Sequence, residues 1–188
     1  MSLNRQGSAK SDRRSRMVEA HLEKDFPVIA SLFSTSFRQT VLLRIFGSFK
    51  IPMIGYLSPR VIKLNEEICI LRIPLARRSR NHLGSMYFGA LAVGADCACG
   101  LIAFDHIKRS RKPISFVFKN FRADFLRRPQ ESVDFVCRDG KKIEALVGRA
   151  VRSQERVEEI VSVKAFLADQ YDEPVADMAL TISLKGKS

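Results

Sequence analysis

The sequence predicts one α+β domain in which a largely antiparallel sheet packs on a single, unusually apolar helix. Two observations predict this class. Apolar and polar residues alternate in several segments of the second half, as they do in strands that bury one face. Residues 83–104, by contrast, carry a single charge over a stretch too long for an ordinary strand. No internal repeat and no linker rich in Pro, Gly or Ser interrupts the 188 residues, so one domain accounts for the chain.

The composition excludes wholesale disorder, because 46% of the residues are apolar and can form a core. Thirty-two Lys and Arg against twenty Asp and Glu give a net charge of +12. This charge favours an anionic partner: a nucleic acid, an anionic membrane or a small molecule that carries phosphates. The four cysteines, at positions 69, 97, 99 and 137, lack the spacing of zinc ligands. We therefore predict free thiols, no metal site and a cytoplasmic protein.

The chain begins with a basic, polar segment and continues into a predicted helix. Residues 1–16 contain five Lys or Arg and one acid, which predicts a disordered basic tail or a leader sequence, with 17–188 as a single domain. From about residue 27 to 47, apolar residues recur at helical spacing, with Pro27 suited to the first turn and Gly47 to the end. We expect the apolar face of this helix to pack on the domain; a membrane-surface helix is the alternative.

The remaining elements alternate between strand and helix patterns. Two β-rich runs, 61–64 and 68–75, are separated by a short turn and predict a hairpin. Phenylalanines alternate at 116 and 118 and resume in shifted phase at 121 and 125, which predicts a β-bulge. These rings fit an apolar lining and a packed core equally well. Residues 133–137 predict a strand, 142–152 a helix, and 161–167 and 178–184 the two closing strands.

The apolar stretch is predicted to form a central helix over about residues 85–107. A transmembrane span is the alternative, but Asp96 lies near the middle of the stretch, where a carboxylate is costly in a bilayer. At 100° per residue, Asp96 falls on a stripe of small residues that would let a second backbone or a ligand approach closely. The other members of this stripe are Ser85, Gly89, Ala92, Gly100 and Ala103. Helix–helix packing around a structural Asp explains the same stripe.

The segment 81–85, Asn-His-Leu-Gly-Ser, precedes this helix and suggests an oxyanion site. With Ser85 as N-cap, the backbone N–H groups of residues 86–88 are expected to be free at the positive end of the helix dipole. Phe88 and Asp96 are eight residues apart, about 12 Å along a helix that rises about 1.5 Å per residue. A base and an oxyanion donor must act on one carbonyl. We therefore expect a site shared by two antiparallel helices of a twofold dimer.

These residues form the pattern Asn81-His82-x-Gly84-Ser85-x-x-x-Gly89-Ala90, with Asp96 fifteen residues after Asn81. The pattern resembles that of the hotdog-fold acyl-CoA thioesterases of the phenylacetyl-CoA type, where an Asn-x-x-Gly segment and a His-Gly-Gly step precede an acid on the central helix. The order of elements over about residues 50–185 is similar as well. The resemblance implies a hotdog fold, an antiparallel sheet wrapped around a long buried helix, here with an N-terminal helix. Tyr87 and Phe88 stand where the family has His and Gly, so only Gly89 of this step is retained.

The resemblance also implies a mechanism and a set of site residues. Asp96 acts as general base on water or as nucleophile through a mixed anhydride, and Asn81 of the other subunit orients the water. The Phe88 backbone N–H holds the oxyanion, beside Tyr87. The substrate is an acyl-CoA or an acyl-carrier thioester, bound by a homodimer or a tetramer, with no cofactor other than the coenzyme A of the substrate. The implied substrate-binding residues are Gly84, Ser85, Gly89 and His82, with Arg109, Arg111 and Lys112 at the coenzyme A phosphates.

Two alternatives stay open on the sequence. The Phe88 side chain narrows the approach of a thioester, which favours a hotdog protein that binds acyl-CoA or an acyl carrier without catalysis. The basic charge alone suggests a nucleic-acid-binding protein. Against this, no helix-turn-helix or RNA-recognition signature is present, and the phenylalanines alternate as core positions rather than lying among the basic residues.

Overall fold

The computed structural model describes residues 35–153 and 155–187. The helices are α1 (Thr35–Lys50), α2 (Pro52–Leu57), α3 (Phe88–Ser110) and α4 (Gly140–Arg152). The strands are β1 (Arg60–Leu64), β2 (Cys69–Ile73), β3 (Ile114–Phe125), β4 (Val133–Cys137), β5 (Val157–Leu167) and β6 (Ala176–Gly186). The predicted tail at 1–16 and the first part of the predicted N-terminal helix, residues 27–34, lie outside the described residues.

The six strands form one antiparallel sheet in the order β1-β2-β4-β5-β6-β3. The alternation that predicted the strands turns one face toward α3. On that face Leu71 of β2, Phe135 of β4 and Ala165 of β5 pair in register and are fully buried. A Cβ at Gly94 of α3 would clash with the Phe135 ring, so the glycine lets the helix lie directly on the sheet. The predicted hotdog fold is confirmed.

The central helix begins and ends later than predicted, at Phe88 and Ser110. Its sheet-facing side is buried, whereas Phe88 and Phe104 on other sides are exposed and Asp96 is half-buried. Of the helices in the described residues, α3 alone is long and apolar enough to cross a membrane by length and composition. Because 56% of its most apolar stretch is buried inside the domain, α3 has the surroundings of a core helix.

Two finer predictions are confirmed. The pairing of β3 with β6 shifts register between Phe118 and Asn120, where the phenylalanine alternation changes phase, so the predicted bulge is present. The helix predicted at 142–152 is α4, over 140–152. Its apolar side, which includes Ile143 and Leu146, is buried where α4 packs beside α3 and against β5 and β6.

The first helix lies along β1 and bonds its main chain through polar side chains. The Thr40 hydroxyl accepts a hydrogen bond from the Val61 N–H at 2.8 Å, and the Ser36 hydroxyl donates to the Ile62 carbonyl at 3.0 Å. One turn further on, Arg44 Nε donates to the carbonyl of residue 59 at 3.2 Å. The side of α1 that faces the domain therefore carries a polar stripe at i, i+4 and i+8.

The outward side of α1 carries exposed apolar residues beside Arg38. Val41 and Leu42 are exposed, although Leu43 on the inner side is buried. The expectation that the apolar face packs on the domain is therefore wrong for these positions. Gly47 does not end the helix, which continues to Lys50. A Cβ at Gly47 would lie 2.6 Å from the Gly55 nitrogen, so this glycine lets α1 and α2 pack closely.

Candidate active site

A groove of about 470 Å³ opens beside the start of α3. The residues from the sequence prediction that line it are Asn81, His82, Ser85, Tyr87 and Phe88. The rest of the wall consists of Met86, Leu91 and residues 125–129, a segment that begins with the last residue of β3. The structure therefore brings together the predicted loop and the helix start. Asp96, Arg109, Arg111 and Lys112 are not part of this groove.

Asn81 organises the loop that forms one wall. Its Oδ1 accepts hydrogen bonds from the Leu83 N–H at 2.9 Å, the Ser85 N–H at 3.3 Å and the Ser85 hydroxyl at 3.2 Å. Gly84 has a φ of +80°, a conformation that costs glycine little. Because Oδ1 is occupied, Nδ2 is the group of Asn81 that can act on a ligand, and it has no partner in the described part of the chain. His82 is exposed on the same loop.

The first turn of α3 differs from the prediction. Tyr87, not Ser85, is the N-cap residue, and it makes no side-chain cap. The Met86 N–H donates to the carbonyl of Pro129 at 2.8 Å, and the Tyr87 N–H donates to the carbonyl of residue 79 at 2.8 Å. The expectation of free N–H groups at residues 86 and 87 is therefore wrong. Both donors tie the helix start to neighbouring loops.

The backbone N–H groups of Phe88 and Gly89 are the ones that this helix start leaves available. Neither N–H has an acceptor among residues 35–153 and 155–187, and both lie in the first turn, at the positive end of the helix dipole. The rings of Tyr87 and Phe88 are tilted against each other with centroids 4.7 Å apart. A Cβ at Gly89 would lie 2.5 Å from Cε1 of Tyr87, so glycine is needed beneath this ring.

Asp96 lies on α3 about two turns beyond the groove. Its carboxylate makes no hydrogen bond or ion pair within the described residues, and burial raises its pKa to about 6. A Cβ on Gly100 would lie 3.7 Å from Asp96 Oδ1 and 3.9 Å from Cζ of Phe118, which locates the carboxylate near β3. About 12 Å of helix separates it from Phe88. A single chain does not bring this carboxylate and the free N–H groups together.

Phe118 lies near this carboxylate, and the other β3 phenylalanines follow along the same strand. They pair with buried β6 residues on the α3 side of the sheet, yet Phe116 and Phe118 are only half-buried and Phe121 and Phe125 are exposed. The Phe116 ring is 5.1 Å from that of Phe104 and 4.9 Å from that of Phe118, measured between centroids. Of the two readings that the sequence left open, core packing describes Phe116 and Phe118, which pack against the core, and an open apolar surface describes Phe121 and Phe125.

The predicted phosphate-binding cations lie at the other end of α3. Arg111 is its C-cap residue, about 35 Å from Phe88 along the helix axis. Arg109 is ion-paired with Glu66 and with Asp105, so its charge is already compensated. The cations that line the groove are instead Arg127 and Arg128. The sequence carries no signal that β3 ends beside the start of α3, so these two arginines were not predicted as site residues.

The thiols of α3 are poorer candidates for a reactive group than its Asp96 carboxylate. All four cysteines are buried and free, and burial raises the pKa of Cys97 and Cys99 well above the usual value. Within the residues described, no group of His, Cys, Asp and Glu is arranged to hold a metal ion. Asp96 is the titratable α3 residue that combines partial exposure, a raised pKa and no partner.

Residues 39–184 match the sequence profile of a family described as a domain of unknown function, DUF4442. The chain belongs to the DUF4442 family. No curated protein matches its sequence. Solved structures do match this DUF4442 chain, and several of them are described as thioesterases.

A protein of unknown function from Pseudomonas aeruginosa, described as a probable thioesterase, is 25% identical, with a TM-score of 0.65 over 79% of this chain and 96% of its own. A thioesterase from the same organism is 17% identical, with a TM-score of 0.60 over 79% and 94%. A protein of unknown function from Chlorobaculum tepidum is 12% identical, with a TM-score of 0.70 over 81% and 98%. This DUF4442 protein thus has the hotdog fold of the predicted thioesterase superfamily, along nearly the full length of these structures.

Proposed function

We propose that this DUF4442 protein hydrolyses acyl-CoA or another acyl thioester at two equivalent sites, each shared between the subunits of a homodimer. The observation that carries the proposal is the separation of two unpartnered groups on one helix. Within the described residues Asp96, whose pKa is raised, has no partner and the Phe88 N–H has no acceptor, yet about 12 Å of helix lies between them. Two antiparallel copies of α3 would bring Asp96 of one subunit to Phe88 of the other.

The surface around Asp96 supports such a dimer. β3 is an edge strand of 12 residues, and its exposed phenylalanines face the side of the sheet on which α3 lies. A long, apolar edge strand offers main-chain groups and apolar area to a second chain. The predicted stripe of small residues contributes little to this contact, because Gly100 and Ala103 are buried within the domain and Gly89 lies beneath the Tyr87 ring.

The proposed chemistry needs few groups. The Asp96 carboxylate takes a proton from water while the water oxygen attacks the thioester carbonyl, and the N–H groups of Phe88 and Gly89 stabilise the oxyanion. Collapse of the tetrahedral intermediate breaks the carbon–sulfur bond, and the leaving thiolate takes up the proton. Asn81 Nδ2 donates a hydrogen bond to the oxygen of this water, so the protons of the water remain available to Asp96. In the nucleophilic variant, Asp96 attacks directly and water then cleaves the mixed anhydride.

The raised pKa suits the role of base. A carboxylate with a pKa of about 6 is a stronger base than an ordinary aspartate, and it is still mostly ionised at pH 7. Activity is therefore expected to rise with pH through about 6. Tyr87, whose N–H is bonded elsewhere, would act through its ring, which covers Gly89.

Arginines at the groove would hold the phosphates of coenzyme A. Arg128 lines the groove and has no acidic partner in the described chain, while Arg127 is paired with Glu173 at 2.9 Å. His82 lies on the opposite loop. Arg111 and Lys112 lie about 22 Å or more beyond Asp96 along α3. They would therefore contact only the far end of a long ligand.

Thiol release from short, medium, long and aromatic acyl-CoA esters tests the proposal. Asp96→Asn should lower kcat at least a hundredfold, since a general base or nucleophile is removed. Asp105→Asn, on the same helix but paired with Arg109, is the matched control and should leave kcat unchanged. Turnover that survives Asp96→Asn would refute the assigned base.

A mixing experiment tests the sharing of the site. Phe88→Pro removes the oxyanion N–H, and Asp96→Asn removes the base, so each homodimer should be inactive. Random recombination of the two variants makes half of the dimers mixed, and each mixed dimer has one intact site, so about a quarter of wild-type activity should return. If one chain held a complete site, no activity would return.

A second candidate function is favoured by the aromatic pair at the helix start. The Tyr87 and Phe88 rings, 4.7 Å apart, stand beside the free N–H groups and restrict the path of a thioester. A protein that binds acyl-CoA without hydrolysing it would keep the groove and the arginines. Saturable acyl-CoA binding by calorimetry, with no thiol release over the whole panel, is the result that this candidate requires.

A further inference from the structure

The polarity of α1 is the reverse of that of an ordinary surface helix. Its polar stripe faces inward, because Ser36, Thr40 and Arg44 bond main-chain groups next to and within β1. Its outward side carries Val41 and Leu42, and Leu42 is 59% exposed. A surface helix normally buries its apolar stripe. The outward side of α1 thus has the composition of a face that something apolar covers.

The second helix extends this apolar surface. α2 turns Ile54 and Leu57 inward, where they are buried, and exposes Met53 and Tyr56, with 57% and 59% of their surfaces accessible. α1 and α2 are packed together at Gly47, so their exposed sides belong to one N-terminal layer. Monomeric domains rarely expose apolar side chains in such number on consecutive elements.

The charged residues of α1, α2 and β1 are all positive. No Asp or Glu occurs between residues 26 and 65, although the chain has twenty acids in total. Over the same stretch the cations are Arg38, Arg44, Lys50, Arg60 and Lys63. All of them except Arg44 are exposed, and these four have no acidic partner among the described residues. The layer therefore combines unneutralised positive charge with exposed apolar and aromatic side chains.

We infer that α1 and α2 dock this protein on the surface of an anionic lipid bilayer. Leu42 and Met53 would enter the boundary between headgroups and acyl chains, and Tyr56 would lie at headgroup level, as amphipathic side chains do. The surrounding cations would contact anionic headgroups. A second copy of the chain is a poorer occupant, because a twofold contact through this layer would bring four exposed cations of each subunit together with no acid between them.

This inference is independent of the proposed hydrolysis and is tested by vesicle flotation of the full chain. The vesicles are phosphatidylcholine with a quarter of phosphatidylglycerol, compared with phosphatidylcholine alone. Wild type should float with the anionic vesicles and not with the neutral ones. Leu42→Glu/Met53→Glu and, separately, Arg38→Gln/Lys63→Gln should each lower the partition coefficient at least tenfold.

A matched control separates the docking layer from apolar exposure in general. Ile160 on β5 is 60% exposed and lies outside the layer, so Ile160→Glu should leave the partition coefficient unchanged. Circular dichroism confirms that each variant is folded. Failure of wild type to float would overturn the inference, as would unchanged binding of both double variants, which would assign the binding to other basic residues. Sedimentation velocity provides the remaining arm: a smaller oligomer for Leu42→Glu/Met53→Glu without any vesicle binding would assign the layer to a second copy.

Discussion

The two edges of the sheet are finished in opposite ways. At β1, which has five residues, α1 lies along the strand and bonds its main chain through Thr40 and Ser36. At β3, which has twelve residues, no further strand or helix pairs with the outer edge in the described chain. Proteins usually protect long edge strands, because the free main-chain groups recruit other strands. Of the two edges, the long and open one at β3 is therefore where a second chain would bind.

The same contrast extends to the side chains. At the open edge lie the half-buried or exposed phenylalanines of β3 and, near Phe118, the Asp96 carboxylate, which has no partner in the described part of the chain. Beside the closed edge, exposed apolar residues lie on helices that carry only positive charges. One end of the molecule thus suits a protein partner and a reaction, and the other suits an anionic surface.

Charging the open edge should have the largest effect. Phe121→Asp places a carboxylate on the β3 surface and should separate the proposed dimer, which parts the base from the oxyanion donor at each site and lowers activity about a thousandfold. Ile62→Asp on β1 is the matched control, since Phe121 and Ile62 are 41% and 39% exposed. Light scattering and thiol release report both effects. A monomeric Phe121→Asp with full activity would contradict the shared site.

Removing one donor at the helix start should cost less. Phe88 is the first residue of α3, where proline is tolerated, and Tyr87 before it has φ −68° and ψ 138°, as a residue before proline prefers. Phe88→Pro should therefore fold normally and lose about a hundredfold in kcat, the usual cost of an oxyanion donor. Phe88→Ala keeps the N–H and clears the ring from the groove. It should retain activity, and equal losses in both variants would implicate the side chain instead.

The Asp96 carboxylate should also make the free energy of unfolding depend on pH. The pKa of Asp96 is raised in the folded state to about 6, so the folded protein binds more protons than the unfolded chain between about pH 4 and 6. Stability therefore falls as pH rises through this window, and Asp96→Asn should escape the fall. Urea unfolding at equal protein concentration should find the variant more stable by about 2 kcal/mol at pH 8, and by much less at pH 4. A variant destabilised at pH 8 would mean that the carboxylate is paired.

Opening the closed edge should have the smallest effect. Thr40→Val keeps the shape of the side chain and removes the acceptor of the Val61 N–H, a buried hydrogen bond of 2.8 Å. The loss of unfolding free energy should be about 1–2 kcal/mol, with kcat unchanged, because this edge is remote from the site. Thr181→Val on β6, which makes no side-chain hydrogen bond within the described residues, is the control. A matching loss in that control would show that the hydroxyl at position 40 has no special role.

Local patterns in the sequence predicted the parts of this molecule that depend on periodicity. The bulge in β3 followed from the phase of its phenylalanines, and α4 from one apolar face. The separation of Phe88 and Asp96 followed from helical rise alone. What failed depended on distant partners: the Met86 N–H is bonded to Pro129, more than forty residues away. The apolar pattern of α1 predicted a helix correctly but not which side of it packs on the domain. That side is set by the hydrogen bond between Thr40 and β1, a distant partner.

In the Asn81 loop, the side-chain oxygen helps to hold the turn, whereas the side-chain nitrogen is left for a ligand. The oxygen of the Asn81 side chain accepts three hydrogen bonds that hold the turn, together with main-chain bonds from Asn81 to Ser85 and from Gly84 to Asn81. Aspartate has an oxygen at the same place, so Asn81→Asp would preserve the loop while replacing the free amide donor by a negatively charged acceptor. A lineage could silence the reaction through one conservative exchange and keep its stability, its groove and its surface. Position 81 is thus where an active relative and an inactive one would differ most simply.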